Sequence, residues 1–598
     1  MAIGPLFVKY QTRAGNCYVY DPRTNEVIRV EEAIYQILDD YHVLDQDEII
    51  AKNQANGEAV VRMALAQLDA LQSSGILCDH PPQLTRRAEW IRCQGTTESL
   101  DEFLRHRRRL LTLELTQQCN LRCDYCCFGE HYPQTRRPST SPMSFETARK
   151  AVTAFINHRP KRAGIGFYGG EPLLEFDLLK QIVLFAEGQA GQFATSVGFS
   201  ITTNGTLLTD EKIHFLAQHE FSVLVSLDGD KKSHDRYRIF RNQNRPEKRI
   251  GSFDTVIKNM TRFVELYPEY LGRGIAVTLT ATSDFQAIEQ FVSKWEPSYP
   301  TIMANFVQAV PDDPRAGCGD RCIQLGRLRT VPCANGSCGR ERLPEVDEDN
   351  YCAASVGLLG GNDGPAETPA FCNWTRDSVH RLQSNHDCFM ASVRCVKDSS
   401  DANVLRSKFP LGCSQLDRSF RSVHFRQVSG NRNSEQYVFR LSCFPGATRT
   451  YCSSQGFLFS CERTEWGSLL ELGSAANDFD VDVRKAHELT ELVRLLCDCG
   501  NCVANRLCSH CPALVSESRE HPGTVDGLAF QEECRQTQAA LPGKLKAYTE
   551  LMEVNPEILD VLLSGTTVDD DWLNDVKVIV PRRKAVEELV AEEIEEIV

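Results

Sequence analysis

The 598-residue chain has no apolar run approaching the roughly 20 residues a membrane-crossing helix needs. Its opening stretch, MAIGPLFVKYQTR, lacks the charged, apolar and small-residue segments of a secretion signal, so a cytoplasmic location is expected. Positive charge is also short: 66 Lys and Arg stand against 81 Asp and Glu, a formal net charge of -15. That balance is the wrong sign for the basic face on which nonspecific nucleic-acid binding depends. Neither a membrane nor a nucleic acid is an expected partner. What the chain does have is cysteine, 25 of them. In a reducing compartment a disulfide framework is disfavoured, which leaves metal ligation as the common use. Seven cysteines lie in residues 1–299, nine in 300–440 and nine in 441–598.

A chain this long exceeds one core, and several domains are expected. FVKYQ, CYVYDP and EVIRV read as short strands, and EEAIYQILDDY and EAVVRMALAQLDALQSSGIL carry apolar residues at helical spacing. Strands followed by helices suggest a winged-helix-like α+β unit over residues 1–84. Residues 1–95 hold nine Lys and Arg against thirteen Asp and Glu, which argues against DNA binding by that unit. Residues 85–109 read as a polar linker. From Leu110 to residue 309, apolar runs (LLTLELT, GIGFYGG, SVGFSITTNG, FSVLVSLDG, GIAVTLTAT) alternate with helical patterns. Such alternation implies an α/β fold with a parallel sheet, and a site at the C-terminal strand ends. The cysteine loop after LELT, GGEP after GFY, TNG after SIT and DGD after VSL all fall there. Residues 310–440 break the rhythm and have no assigned elements. Residues 441–537 form a cysteine module, and residues 538–598 an acidic, helical tail.

The loop CNLRCDYCC offers Cys119, Cys123 and Cys126 as C-x3-C-x2-C, with no fourth cysteine at the knuckle spacing that zinc sites use. Three thiolates can hold three irons of a [4Fe-4S] cluster and leave the fourth open to a small molecule. Cys127 is read as a nonligand. With Tyr125 ahead of the last cysteine, the loop resembles that of the radical S-adenosylmethionine (SAM) enzymes. The resemblance implies a partial (β/α)6 barrel, SAM on the open iron and a 5′-deoxyadenosyl radical. It implies Tyr125, Gly169, Gly170 and Glu171 of GFYGGEP as cofactor-binding residues, Glu171 accepting from the SAM ammonium. Asn204, Ser226, Asp228 and Arg238 are expected at later strand ends as further contacts. Taken singly, each of these polar residues reads equally as a turn or cap.

Cys443 and Cys461, then Cys499, Cys502, Cys508 and Cys511 as C-x2-C-x5-C-x2-C, then Cys534, resemble the SPASM domain of peptide-modifying radical SAM enzymes. One spacing departs from that pattern, with two residues (Ser509 and His510) where three are usual. The resemblance implies two auxiliary [4Fe-4S] clusters, three in all. Cys443, Cys461 and Cys511 would serve the nearer, and Cys499, Cys502, Cys508 and Cys534 the farther. The nearer cluster's fourth ligand is open between Cys452, Cys413 and a substrate thiolate. Cys497 and the nine cysteines from Cys318 to Cys413 fit no pattern.

Beside such an enzyme, CYVYDPRTNEVIRV and the EEAIYQIL helix are similar to PqqD-like recognition domains, which bind a precursor's leader as an added strand. The full order resembles maturases that form sulfur-to-carbon thioether links in ribosomally made peptides. Carbon-carbon cross-linking or epimerisation of such a peptide, or a sulfatase-activating type of activity, are the alternatives. The implied partners are a precursor peptide with its leader and an electron donor such as flavodoxin or ferredoxin.

Overall fold

The computed structural model describes residues 7–77, 90–99, 108–126, 140–306, 389–424, 436–462, 470–489, 502–508, 516–517, 525–564 and 577–581, apart from short gaps inside these ranges. Strands β1 (Val8–Gln11), β2 (Cys17–Asp21) and β3 (Glu26–Val30) form an antiparallel sheet in that order. Asn25 turns the chain between β2 and β3 at φ 63°, a left-handed conformation its short polar side chain tolerates, and accepts from Tyr20 Oη at 2.9 Å. Helices α1 (Glu32–Ile37), α2 (Gln46–Lys52) and α3 (Glu58–Ser73) follow. Helix α2 is too short to show periodicity, and its one signal is the capping box between Asp45 and Glu48. Val19, Ile28 and Val30 pack with the helices on one face of this sheet.

The main sheet runs β11-β10-β9-β8-β7-β6-β13-β14-β15. Its parallel run comprises β6 (Leu110–Thr116), β7 (Arg162–Gly169), β8 (Ser196–Thr203), β9 (Ser222–Ser226), β10 (Arg273–Leu279) and β11 (Thr301–Phe306). The crossovers carry α4 (Phe145–Asn157), α5 (Phe176–Gln192), α6 (Asp210–Gln218), α7 (Lys231–Tyr237), α8 (Phe253–Leu266) and α9 (Phe285–Trp295). Strand–helix alternation forces this arrangement, since parallel neighbours need a crossover long enough to return. Leu111, Leu113, Leu115, Ile165, Phe167, Phe199, Ile201, Val223, Val225, Ile275 and Val277 share one buried core with these helices. Their alternates on the strands, such as Thr112, Gly166, Ser200 and Ser222, occupy the other face.

Three findings differ from the expectation for the flanking segments. The polar linker contains two paired strands, β4 (Trp90–Cys93) and β5 (Thr96–Ser99). The cysteine module is not separate at its start. Beyond β12 (Gln436–Phe439), β13 (Arg449–Cys452) pairs parallel to β6, and β14 (Phe457–Phe459) and β15 (Glu471–Ser474) extend the same sheet antiparallel. The acidic tail is helical only in part. After a short pairing of β16 (Ser516–Glu517) with β17 (Val525–Asp526), α12 (Gly527–Val554) and α13 (Ile558–Ser564) are followed by β18 (Lys577–Pro581), paired with β12 and β4. All of these strands are short, and β13 with β6 and β18 with β12 and β4 pair over long sequence distances, so local pattern does not announce them.

Edge strand β11 is sealed by a helix. Helices α10 (Ser399–Lys408) and α11 (Pro410–His424) lie within residues 310–440, to which the sequence pattern assigned no elements. Ser414 Oγ accepts from Ala304 N at 3.3 Å, and Gln415 Nε2 donates to Ala304 O at 3.3 Å. Both backbone groups of one edge residue thus bond to side chains, which blunts an otherwise open edge. The first amides of α11 lack intrahelical partners, and the Glu289 carboxylate of α9 accepts from Leu411 N at 2.8 Å and Gly412 N at 3.1 Å.

Burial pushes Glu289 up to about 7, against the lowering effect of those two amides. In the unfolded chain a glutamate titrates near 4.3. The folded state therefore binds the extra proton between those values, so this group's contribution is full below about pH 4.3 and is lost as pH rises through about 7. Glu289→Gln removes the titration but keeps an acceptor. The melting temperature of the variant is expected to gain several degrees on the wild type between pH 5 and pH 8, equivalent to roughly 2–4 kcal/mol. A gap that stays constant with pH would show that the carboxyl does not take up a proton in the fold.

Candidate active site

The concave face of the parallel sheet carries rows of small and polar side chains, with Tyr168, Leu224 and Met303 among them. Thr112, Gly166, Ser200 and Ser222 stand in register across β6, β7, β8 and β9. Ser226, Ala276 and Met303 form a later row, and Thr278 pairs with Asn305 beyond it. Gly198 and Ser222 are exposed, and Met303 is 41% exposed. Parallel sheets are ordinarily covered by apolar packing on both faces. Here one face is packed and the other is a hydroxyl-lined hollow.

At the rim, consecutive strand ends are fastened to one another. Gly170 N donates to Thr116 O and Glu171 N to Gln118 O, each at 2.8 Å. A Cβ on Gly169 (φ +137°) would lie 2.2 Å from Thr116 O, and one on Gly170 would lie 2.0 Å from Gln118 O. The two glycines were expected to admit a ligand; the groups they admit are the carbonyls of the cysteine loop itself. Glu171 is fully buried. Its Oε1 accepts from Thr203 Oγ1 at 2.7 Å and Leu173 N at 3.1 Å, and its Oε2 from Asn204 N at 2.7 Å. The net effect of burial over these bonds is to raise its carboxyl. Asn204 Nδ2 reaches Asn120 Oδ1 at 2.8 Å and Cys119 Sγ at 3.7 Å, while Asn120 Nδ2 donates to Thr206 Oγ1 at 2.8 Å. The GGEP carboxylate thus ties the β7 loop to the β8 loop, which in turn touches the first cysteine.

On the other side, the cysteine loop is stitched to the segment after α7. Arg122 N donates to Ile239 O at 2.7 Å, Arg241 N to Asn120 O at 2.9 Å, and Leu121 bridges Phe240. Asp228, at the end of β9, accepts from Arg238 Nε at 2.8 Å, from Thr278 N at 2.9 Å and from the Tyr125 hydroxyl. The Arg238 guanidinium lies 5.4 Å from the Tyr125 ring centroid. Burial raises Tyr125 well above its ordinary value, while for Arg238 burial works against the charge but Asp228 and Tyr125 outweigh it. Tyr125, Asp228 and Arg238, expected as separate cofactor contacts, therefore form one paired cluster. Ser226 stands half-buried on the concave face. Sequence reasoning missed Thr203, Asn120, Thr206 and Thr278, along with His234, whose Nε2 meets Ser252 Oγ at 2.9 Å. Burial holds His234 neutral, pushed down to about 4. Only the strand-end position of Thr203 and Thr278 signalled them.

Cys119, Cys123 and Cys126 share this loop, close enough for Cys126 to act electrostatically on both Cys119 and Cys123, and Cys119 on Cys123. Burial, then Glu171, pushes Cys119 up to about 12, and burial likewise raises Cys123. Such thiols lose their protons when a metal binds. Among the described residues no three His, Cys, Asp or Glu side chains close around a single ion. Ligands of one tetrahedral zinc would stand about 3.8 Å apart at Zn–S of about 2.3 Å. Three cysteine thiolates, one to each of three irons, are the donor type of a [4Fe-4S] cluster, and in that chemistry the donor set fits one.

The expected auxiliary ligands are described in part. Cys461 and Cys502 are buried and Cys508 is half-buried. Gln538 Nε2 contacts Cys502 Sγ at 3.2 Å. Gln538 stands one turn beyond Cys534 on α12, so its side chain links Cys502 to that helix. Cys534 is disulfide-bonded. Cys443, Cys499 and Cys511 lie outside the described residues. Of the open fourth-ligand candidates, Cys452 is enclosed in the main core, and Cys413 sits on α11, where burial and then Glu289 push it up to about 12.

Residues 113–282 match the model of the Radical SAM superfamily. The cysteine-type anaerobic sulfatase-maturating enzyme of Clostridium novyi (strain NT) is 29% identical over 152 residues, 25% of this chain and 39% of that protein. The serine-type anaerobic sulfatase-maturating enzyme of Bacteroides thetaiotaomicron is 32% identical over 122 residues, 20% of this chain and 29% of that protein. The chain thus spans well under half the length of these curated relatives. Among solved structures, native anSMEcpe with bound AdoMet aligns at 15% identity and a TM-score of 0.45, covering 76% of this chain and 99% of that one. The matched residues hold the cysteine loop, the GGEP carboxylate and Asp228, and the chain carries a radical SAM domain.

The close approach at Gly170 gives a direct test of the loop. A methyl group there meets backbone that cannot rotate aside, at the general cost of overpacking, about 1–3 kcal/mol. Gly170→Ala is expected to keep the far-ultraviolet circular dichroism of the wild type while losing the iron of one four-iron cluster after anaerobic reconstitution. Unchanged iron content would show that the loop holds its thiols without that contact.

Proposed function

We propose that this radical SAM enzyme modifies a ribosomally made precursor peptide, joining a cysteine sulfur to a carbon as a thioether. Cys119, Cys123 and Cys126 would hold the first [4Fe-4S] cluster, and SAM would occupy the rim between GGEP and Asp228. Cys443, Cys461, Cys499, Cys502, Cys508, Cys511 and Cys534 would hold two auxiliary clusters once Cys534 is reduced. When bound, the first cluster and SAM supply a radical able to take a hydrogen atom from carbon, and the auxiliary clusters supply an electron acceptor. The chain's own contribution is geometric. Glu171 and Asp228, each satisfied by protein donors, fix the rim, and the hydroxyl face offers donors and acceptors to a peptide backbone. A flavodoxin or ferredoxin would deliver the reducing electron.

The observation that carries the peptide reading is the N-terminal sheet, where β3 forms an edge of a three-stranded unit. Among the described residues no strand pairs with that edge, and a leader would add there as a further strand. Each main-chain bond contributes about 0.5–1.5 kcal/mol net. Four or five of them with one apolar anchor reach about -8 kcal/mol, a micromolar affinity.

A sulfatase-activating activity, the reading the names of the two relatives above favour, would have no use for a leader. The two readings separate in one experiment with the reconstituted enzyme, SAM, a reductant and a short cysteine-bearing peptide that carries an N-terminal leader. Full-length peptide is expected to lose two hydrogens at a cysteine by mass spectrometry. The same peptide without its leader is expected to react at least about 100-fold more slowly, the loss of roughly 3 kcal/mol of binding. SAM cleavage without peptide stays the same in both arms. Equal rates on leader-bearing and leaderless peptide would sink the recognition reading.

A further inference from the structure

The N-terminal unit is fastened to the barrel through two helices, and we propose that this fastening sets the spacing between the leader and the residue modified. The inference rests on the peptide reading above. One carboxylate forms the junction. Glu553 Oε1, in the last turn of α12, accepts from Thr12 Oγ1 at 3.1 Å, Asn16 Nδ2 at 2.7 Å and Tyr18 Oη at 3.0 Å. One turn earlier Glu550 Oε1 accepts from Arg13 N at 2.9 Å, and Tyr10 Oη meets Thr549 Oγ1 at 2.8 Å in a buried contact. Acidic residues at a helix C-terminus oppose its dipole, so these two have a local cost that donors from the β1–β2 hairpin offset. Beneath them Val8, Tyr10 and Tyr20 share an apolar core with Leu545, Tyr548 and Leu551.

From that junction the contacts lead to the barrel without passing through Pro542, which interrupts α12 on the side of Cys534. Lys544 Nζ donates to Ser422 Oγ at 3.2 Å, and the Tyr548 and Phe420 rings lie 6.0 Å apart, which joins the last turns of α12 to α11. The start of α11 is held by Glu289, and its Ser414 and Gln415 bond the edge of β11. The path from Gly412 to Phe420 is one helix, roughly 12 Å long. Strand β1 faces this path, and β3 forms the opposite edge of the same sheet. A leader added to β3 is therefore held at a set distance from the hollow, and only a core residue at the matching position along the peptide can enter it. Leader affinity and site choice then depend on different residues: the β3 edge for the first, Glu553 and Glu550 for the second.

The test uses the full-length enzyme carrying Glu550→Ala and Glu553→Ala. It also uses precursors with zero, four and eight Gly/Ser residues inserted between leader and core. In the wild type, insertion is expected to cut turnover at least tenfold and to leave one modified position. In the variant, the penalty should shrink to within about threefold and the modified position should spread over neighbouring residues. Binding of a fluorescent leader peptide and uncoupled SAM cleavage should both stay within twofold of wild type. Hydrogen exchange in residues 8–18 should rise in the variant while helix α3 stays protected. Glu553→Gln, which keeps an acceptor, is expected to restore most of the wild-type spacing rule. Thr12→Val with Asn16→Ala removes the same bonds from the other side and serves if the double alanine variant fails to fold. The inference is overturned if insertions are tolerated by the wild type, or if the variants keep its strict spacing and single product. Failure of the peptide reading looks different, because the wild type then handles leaderless and leader-bearing peptides alike.

Discussion

Two backbone hydrogen bonds, from Gly170 N to Thr116 O and from Glu171 N to Gln118 O, hold the end of β7 against the cysteine loop. Everything at the rim depends on that approach. It fixes the backbone from which Cys119 projects, and it places the Glu171 carboxylate where Thr203 and Asn204 can donate to it. Asn204 then reaches back to Asn120 and to the Cys119 sulfur, so three loops close a ring of contacts around one thiol. A buried carboxylate is stable only when its lone pairs are met. Here the donors that satisfy it also set the geometry of the site, so its burial and its use are one constraint.

The sheet itself is asymmetric. On its packed side, Phe167, Phe199 and Phe221 stack with centroids 5.3 to 6.3 Å apart and fill the space under the helices. On its other side glycine, serine and threonine alternate with Leu224 and Met303, and Tyr168 packs there against Tyr451, Phe459, Leu470 and Leu489. Most of the apolar packing lies on one face, and the hydroxyls stand on the other.

The parallel run was legible because each strand is apolar, each crossover is helical, and both patterns are local. The cysteine spacing and GGEP located the rim for the same reason. The partners of those residues were not legible. Thr203, Thr278 and the 237–241 segment meet the loop only through folding, and nothing in their spacing records it. The glycines of GGEP were expected to face a ligand, and a sequence cannot say whether a missing Cβ makes room for a substrate or for a carbonyl of its own chain. Strands β13, β14 and β15 were taken into a separate module because three- and four-residue strands carry almost no periodic signal. Glu289 gave no sign either, since a glutamate on an amphipathic helix reads as solvated surface until a second helix arrives to cover it.

Side chains of α11, rather than another strand, complete the open edge of the barrel at β11. A strand added to an edge must keep register along its whole length, so the chain leading to it cannot change without disturbing the pairing. A seal made by Ser414 and Gln415 asks only that one helix arrive at one place. The seal itself therefore sets no register for the connection between β11 and α11, residues 307–409. The entropy of closing such a connection grows slowly, by about 0.6 kcal/mol for each doubling of its length. An edge closed in this way is insensitive to the length of the chain that leads to its seal, whereas an edge closed by a strand is not.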